Sequence, residues 1–308
     1  SAAQTMVSAY VAAGFRKIHL DCSMSCADDK GPLQDETIAR RSAQLCAAAE
    51  RAWSRAGGEP PVYVIGTEVP VPGGAAQDTH EIDVTTPASA RATIDKHREV
   101  FAEAGLGEAW KRVIAAVVQP GVEFTNSSVV DYDARKTAAL SRVLDAYPGM
   151  VFEAHSTDYQ TPAALAQLVR HHFAILKVGP AVTFAIREAL WALDAIERDW
   201  IDAGSRSRLR ETTIERMKAD PRHWSRYYAS SGAELDFDLQ YSLSDRIRYY
   251  WGQREIVAAQ DRLFANLTQN PPPLALISQY LPSAFRSARA SRASLAPKAL
   301  VVEHVRGV

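Results

Sequence analysis

The sequence lacks long apolar runs and is poor in cysteine. None of its apolar stretches approaches the roughly 18 residues that cross a bilayer, and Ser1 to Met6 has no basic segment followed by an apolar one. We therefore expect a cytoplasmic protein without a membrane partner. The three cysteines are an odd number, which favours a reducing compartment over a disulfide framework.

The formal net charge is only −1, and the common nucleotide-binding motifs are absent from the sequence. The 35 Lys and Arg residues are interspersed with 36 Asp and Glu residues, so no strong field would attract nucleic acid. There is no G-x-x-x-x-G-K-[ST] loop, no G-x-G-x-x-G fingerprint and no G-x-S-x-G turn. Nucleic-acid binding is therefore not expected, and nothing in the sequence would hold ATP for a sugar kinase.

The sequence does contain short apolar runs that alternate with long amphipathic stretches, which is typical of βαβ units around a parallel sheet. The predicted strands are Arg16 to Leu20, Val62 to Gly66, Arg112 to Gln119, Met150 to Ala154 and Phe173 to Val178. The predicted helices are Leu33 to Ala56, Pro87 to Gly105, Asp131 to Tyr147, Thr161 to His171 and Ala181 to Ala203. After these the pattern stays helical, in Arg206 to Ala219, Pro221 to Ala229 and Ser244 to Leu267.

This order of elements predicts an α/β fold of the (β/α)8 TIM-barrel class. A closed barrel of this class needs eight strands, so the five predicted here are expected to be strands 4 to 8, with the others in roughly 90 upstream residues. On this interpretation residues 1–204 form a partial barrel. Residues 205–308 would form a C-terminal α-helical extension packed on it.

Polar residues recur on one face of the predicted strands, because side chains alternate between faces. They are Lys17, His19 and Asp21 on the first strand, Glu68 after the second, Glu153 and His155 on the fourth, and Lys177 on the fifth. A barrel strand is apolar towards the helices, so this polar face should line the interior. For the deeper residues we expect satisfied ion pairs, such as Lys17 with Glu153.

Asp21, Glu68 and His155 lie at or just past the carboxyl ends of three strands, where barrel enzymes keep their catalytic groups. One imidazole and two carboxylates suit a divalent metal, zinc or manganese, and leave a coordination position open. We therefore predict a metal held by these three residues, with Asp21 and Glu68 as catalytic carboxylates. A zinc site made by Cys22, Cys26 and His19 is a weaker alternative, because Cys22 has the opposite parity to His19.

A phosphate site is predicted where the fifth strand turns into a helix. Gly179 precedes that helix and can offer backbone N–H groups to an anion, next to Ser156 and Thr157 at the preceding strand end. If these are strands 7 and 8, barrels commonly bind phosphate here. Lys177 and Thr183 belong to the same predicted site, and an ordinary helix-capping turn is the alternative.

A further candidate for phosphate binding is Arg246, in the segment SDRIRYYW. It shares one face of a predicted helix with Tyr250. A packing face is the plain alternative to an arginine that meets a phosphate or a neighbouring subunit.

Six segments together resemble a known family. They are KIHLDCSMSCADD (Lys17 to Asp29), YVIGTEVPVPGG (Tyr63 to Gly74), VVQPGVEF (Val117 to Phe124), FEAHSTDYQT (Phe152 to Thr161), HFAILKVGPAVTFAIREAL (His172 to Leu190) and YSLSDRIRYYW (Tyr241 to Trp251). The family is the Z-type subunit of class II D-tagatose-1,6-bisphosphate aldolase, often labelled tagatose-6-phosphate kinase. It is usually described as a non-catalytic subunit that stabilises the catalytic Y-type aldolase, and some similar proteins are hexulose-6-phosphate 4-epimerases.

The resemblance implies a phosphorylated ketohexose as ligand and either a homo-oligomer or a hetero-oligomer with a Y-type subunit. The resemblance extends to the wider class II aldolases. The parts of this sequence that resemble their metal ligands and phosphate-binding strand ends are His155 with Ser156, Glu68, and the segment Lys177 to Thr183. A GGDH-type Asp-His pair found in the family is absent from this sequence. The sequence leaves four functions open: an aldolase component, a metal-dependent 4-epimerase, a purely stabilising subunit, and the tagatose-6-phosphate kinase named in the family's common label. It also leaves open a different mechanism, in which Lys177 forms a Schiff base with the substrate.

Overall fold

The computed structural model describes residues 1–30, 32–67, 82–292 and 294–307. These residues form two compact units. The first contains the described residues up to 123 together with 129–178, and the second contains 124–128 and the chain from Gly179 onward. The boundary expected at residue 204 therefore falls inside the second unit. No helix of the described ranges is long and apolar enough to span a membrane.

The predicted parallel sheet is confirmed within the described residues of the first unit. The strands are β1 (Lys17–His19), β2 (Val62–Ile65), β3 (Val113–Val117), β4 (Glu123–Phe124), β5 (Val129–Val130), β6 (Val151–Ala154) and β7 (Phe173–Leu176). Five of them form one sheet in the order β1-β2-β3-β6-β7, with every neighbouring pair parallel. The short strands β4 and β5 form a separate pair.

The strands form where apolar residues can be buried on both faces of the sheet, as parallel sheets require. Tyr63, Ile65 and Phe152 are fully buried on one face, and Val64 and Ala115 are fully buried on the other. Register shifts occur on β2 and β6, in the second case between Phe152 and Glu153. Glu153 pairs in register with residues of both neighbouring strands, so its position in the sheet is fixed from two sides.

Helices connect the strands of the first unit, as the amphipathic stretches predict. They are α1 (Ala2–Ala12), α2 (Asp35–Ala56), α3 (Pro87–Glu103), α4 (Gly107–Trp110), α5 (Ala134–Ser141) and α6 (Pro162–Arg170). Two of them begin at a Thr-Pro pair, in which the threonine hydroxyl accepts a backbone N–H and the proline takes the first helical position. The residues concerned are Thr86, which accepts from Ser89, and Thr161, which accepts from Ala164.

The second unit is helical and has an apolar core of its own. Its helices are α7 (Ala181–Trp200), α8 (Leu209–Ala219), α9 (Gly232–Tyr241), α10 (Arg254–Gln269), α11 (Leu274–Tyr280), α12 (Pro282–Ser291) and α13 (Pro297–Arg306). The core includes Leu193, Leu209 and Leu263, all fully buried. The predicted helix from Ser244 to Leu267 is interrupted, because a short 3-10 helix at Arg246–Tyr249 precedes α10.

Candidate functional site

Three strands of the first unit bring polar side chains to their carboxyl ends. His19 is the last residue of β1, Glu153 lies near the end of β6 with His155 directly after it, and Lys177 follows β7. Ligand atoms of His19, Glu153 and His155 all lie within 4.8 Å of one another. We call these three residues the His-Glu-His cluster.

The carboxylate of Glu153 is the centre of the His-Glu-His cluster. His155 Nε2 lies 2.8 Å from Glu153 Oε1 and must be the donor, since an ionised carboxylate can only accept. His19 Nδ1 is 3.2 Å from the same oxygen. Lys17 Nζ donates to the other oxygen at 3.2 Å, which confirms the ion pair expected from the sequence. Lys177 Nζ lies 3.7 Å from Glu153 Oε1.

The contacts across this cluster require a strongly curved sheet. Strands β1 and β7 lie at opposite edges of the sheet, and four spacings of about 4.8 Å would separate them by about 19 Å if the sheet were flat. Yet Lys177 Nζ, which follows β7, donates to His19 Nδ1 of β1 at 3.4 Å. The sheet therefore bends around the polar face, and its strand ends converge on one point.

Burial and neighbouring charge set the protonation states in this cluster. Burial alone would raise the pKa of Glu153, but the hydrogen bond from His155 and the nearby positive charges outweigh it and lower the pKa to about 2. Burial lowers the pKa of His19 to about 4, despite the opposing effect of Glu153. At neutral pH the carboxylate is therefore ionised and the His19 imidazole is neutral.

The donor set fits a divalent transition metal. Two imidazole nitrogens and one carboxylate oxygen are ligands that zinc and manganese accept, and three protein ligands leave room for a further one. Metal ligands must be deprotonated, as His19 and Glu153 already are, whereas a bound ion would replace the proton on His155 Nε2. The Nε2 atom of His19 is buried without a hydrogen-bond partner among the described residues.

The structure brings together only part of the metal site expected from the sequence. His155 belongs to the cluster, but Asp21 does not, because its exposed carboxylate accepts from the backbone and hydroxyl of Ser23. β1 ends at His19, so the alternation of faces does not extend to Asp21. Glu68 lies outside the described residues. Cys22 and Cys26 are free thiols and are not members of the cluster.

The residues expected to bind phosphate fall in both units. In the first, Thr157 uses its hydroxyl to donate to the backbone oxygen of Lys177, and Ser156 has a left-handed φ of 53°. In the second, the Thr183 hydroxyl lies 2.6 Å from Asp245 Oδ2, to which it donates. Gly179 directly precedes Pro180, the N-cap of α7, as expected.

Comparison with known proteins gives a family match and similar solved structures. The model of the family described as D-tagatose-1,6-bisphosphate aldolase subunit GatZ/KbaZ-like matches residues 1–308. A crystal structure of a probable tagatose 6 phosphate kinase from Sinorhizobium meliloti 1021 is 44% identical in sequence and superimposes with a TM-score of 0.89, covering 99% of this chain and 74% of that one. The fructuronate-tagaturonate epimerase UxaE from Cohnella laeviribosi shares 13% identity with a TM-score of 0.45, over 98% of this chain and 66% of its own, which is too distant to carry an argument.

Proposed function

This chain belongs to the GatZ/KbaZ-like family of D-tagatose-1,6-bisphosphate aldolase subunits, and on that premise we propose that it is a metal-dependent component of class II aldolase chemistry. Its substrate would be a phosphorylated ketohexose. The observation that carries the proposal is the convergence of two imidazoles and one carboxylate in the His-Glu-His cluster. The curvature of the sheet supports the further proposal that the parallel strands are strands 4 to 8 of a (β/α)8 barrel.

A divalent ion held by His19, Glu153 and His155 would supply Lewis-acid stabilisation of negative charge on a sugar oxygen. The chain's own residues prepare the site for that charge. Glu153 fixes the orientation of His155 through their hydrogen bond. Lys177, whose side chain is 43% exposed, places a cation where an anionic substrate oxygen can reach it. Asp21 and Glu68 remain our proposed proton-transfer residues.

The phosphate-binding role expected for the strand ends remains part of the proposal. In the first unit, Lys177 and the backbone at Ser156 and Thr157 would contribute, since the Thr157 hydroxyl is already engaged. Gly179, two residues before α7, and Thr183 in its first turn stay proposed phosphate-binding residues of the second unit.

A second candidate function is a subunit that only stabilises a catalytic Y-type aldolase. Its specific support is that Lys17 and Lys177 already compensate the charge of Glu153. The His-Glu-His cluster is therefore electrostatically satisfied without an ion. This alternative predicts no turnover by the chain alone.

Metal binding is tested by loading the protein with zinc or manganese, removing free metal, and measuring bound metal by mass spectrometry. We expect wild type to retain metal and His19→Ala and His155→Ala to lose it, because each removes a ligand nitrogen. His304→Ala, a partly exposed histidine paired with Glu188, is the control and should retain metal. Unchanged metal content in both cluster variants, with wild-type circular dichroism, would overturn the metal site.

The reaction is tested by incubating the protein with tagatose 1,6-bisphosphate and with fructose 6-phosphate, each with and without chelator. Cleavage of the bisphosphate supports an aldolase component, whereas formation of tagatose 6-phosphate supports a 4-epimerase. Turnover only after addition of a Y-type subunit supports the stabilising role. Turnover that resists chelation, with borohydride trapping of substrate on Lys177, would replace the metal mechanism by Schiff-base chemistry.

A further inference from the structure

The second unit contains a cavity of about 520 Å³ with a strongly basic lining. The described residues that line it are Arg222, His223, Ser225, Arg226, Tyr227, Arg246 and Tyr249, and none of these is acidic. We call this cavity the arginine pocket. Its volume lies within the roughly 300 to 1,000 Å³ of small-molecule sites, so it can hold more than an isolated inorganic ion.

Two 3-10 turns build the arginine pocket. One is Pro221–His223, after α8, and the other is Arg246–Tyr249, before α10. Asp245 has a left-handed φ of 46° and redirects the chain immediately before the second turn. The backbone N–H of Arg246 then donates to the hydroxyl of the buried Tyr228 at 3.3 Å. The position of Arg246 is therefore fixed by its backbone and not by a salt bridge.

Arg246 is buried with unsatisfied donors. The residue is only 4% exposed, and its Nε and Nη2 atoms are buried with no hydrogen-bond partner among the described residues. Its guanidinium stacks on the ring of Tyr227, 3.2 Å from the centroid, which leaves the in-plane N–H groups free for an acceptor. Buried polar groups in proteins are nearly always hydrogen-bonded, so unpartnered donors on an arginine that lines a cavity indicate a missing anionic partner.

The carboxylate next to Arg246 in the sequence does not neutralise it. Asp245 is occupied by the hydroxyl of Thr183 and lies 3.9 Å from the guanidinium of Arg187. Arg226 also lines the pocket, and the described residues offer it neither a hydrogen bond nor an ion pair. Arg222 is paired with Asp220 through two bonds of 2.7 Å. Within the described ranges, no acidic side chain therefore compensates the guanidinium groups of Arg226 and Arg246 in the pocket.

We propose that the arginine pocket binds the phosphate group of a phosphorylated small molecule. Two guanidinium groups match a phosphate monoester, which carries about −1.5 to −2 charges near neutral pH and accepts bidentate hydrogen bonds from arginine. The sequence indicated Arg246 as a candidate, and the structure adds the cavity, Arg226 and the unsatisfied donors. All of these residues lie in the second unit, whereas the His-Glu-His cluster lies in the first. The proposal therefore does not depend on a bound metal.

Isothermal titration calorimetry in the presence of EDTA tests this proposal, because the chelator removes any contribution from a metal site. The probes are fructose 6-phosphate, inorganic phosphate and fructose. Wild type should bind the two phosphate probes but not fructose. Arg226→Gln and Arg246→Gln should each weaken binding of fructose 6-phosphate by about tenfold to a hundredfold, the value of one charge-assisted hydrogen bond. Arg286→Gln is the matched control and should bind like wild type, because Arg286 is exposed on α12 and makes no hydrogen bond or ion pair with the described residues.

Arg226 is exposed, so Arg226→Gln should fold even if the loss of the buried Arg246 side chain proves disruptive, and it then decides the outcome. The proposal is overturned if wild type binds neither phosphate probe in EDTA, or if Arg226→Gln and Arg286→Gln bind with equal affinity. Binding that appears only when metal is present would also overturn it, and would place the phosphate at the metal site instead.

Discussion

Asp245 combines an unusual backbone conformation with a buried carboxylate. Its φ of 46° lies in the left-handed region, which Asp and Asn tolerate better than most residues. Its side chain is fully buried and accepts a hydrogen bond from Thr183, with Arg187 nearby. Burial raises the pKa of Asp245 to about 6, although the hydrogen bond and Arg187 act in the opposite direction. The carboxylate is therefore a cost to the folded state at neutral pH.

We expect Asp245→Asn to remove a pH dependence of the free energy of unfolding. The folded carboxyl has a pKa of about 6, above the roughly 3.9 of an unfolded aspartate, so protonation favours the folded state. Wild type should gain stability from this group as pH falls from 7.5 to 4.5, and lose it again as pH rises through 6. The stability of Asp245→Asn relative to wild type should therefore be about 2 kcal/mol more favourable at pH 7.5 than at pH 4.5.

Urea denaturation at the two pH values measures this difference. Asparagine suits the experiment because it keeps the side-chain oxygen for Thr183 and tolerates a left-handed backbone. Asp261→Asn, at an exposed position on α10, serves as the control and should show no such dependence. An equal effect of Asp245→Asn at both pH values would show that the carboxylate stays ionised throughout.

The sequence located the face of the candidate site and one of the three members of the His-Glu-His cluster, His155. Alternation along the strands placed His19, Glu153 and Lys177 on the polar side, and the ion pair of Glu153 with Lys17 is confirmed. Alternation could not show that the side chains of His19 and His155 lie close together. Their distance depends on the curvature of the sheet, and the strands that carry them are far apart in sequence. The rule of alternating faces does not reach Asp21, because β1 ends two residues earlier, and the role of Asp21 stays a prediction.

Among the elements, β2 and β3 approach each other closely where β2 ends. Gly66 is buried directly after β2, and a methyl group there would lie 2.7 Å from Val117 Cβ on β3. No real side chain fits at that distance without a shift of the backbone. The close approach is possible because glycine has no Cβ.

We therefore expect Gly66→Ala to destabilise the protein by about 1 to 3 kcal/mol, the typical cost of overpacking a rigid core. Urea denaturation measures the loss. Gly107→Ala is the matched control, since nothing lies within 4 Å of its added methyl group and its φ is not positive. Combining Gly66→Ala with Val117→Gly, which removes the opposing Cβ, should give a smaller loss than the sum of the two single changes. Additive losses would mean that the clash is relieved elsewhere.

Helix starts were predicted best where the sequence carries its own capping residues. The predicted helices at Pro87 and Thr161 begin within one residue of the observed α3 and α6, because both have a threonine cap followed by proline. Prediction was poorer in the second unit, where the segment from Pro221 contains a 3-10 turn and the segment from Ser244 begins with one, so that regular helix starts only at Arg254. There the conformation depends on contacts between residues far apart in the sequence, such as the Tyr250 hydroxyl donating to Asp220 O at 2.5 Å.

At the scale of the whole molecule, each unit has a separate apolar core. The core of the first unit is formed by residues between Val7 and Phe173, and that of the second by residues between Ala189 and Leu300. The sequence predicted the parallel sheet but placed α7 with it, because a helix after a strand looks like any other crossover helix. Leu190, Leu193 and Ile196 on α7 belong to the second core. The spacing of apolar residues shows that a helix has a buried face, but it does not show which core that face packs against.

Because the two apolar cores are separate, we expect a substitution that destabilises one unit to leave the stability of the other unchanged. Leu168 on α6 and Leu263 on α10 are both fully buried, one in each core. Leu168→Ala and Leu263→Ala should each remove about 2 to 5 kcal/mol through the cavity left behind. Hydrogen exchange followed by mass spectrometry should then show faster exchange only in the unit that carries the substitution, because local stability follows the contacts of each cooperative unit. Each variant serves as the control for the other, and faster exchange in both units of either variant would show that the two cores unfold as a single cooperative structure.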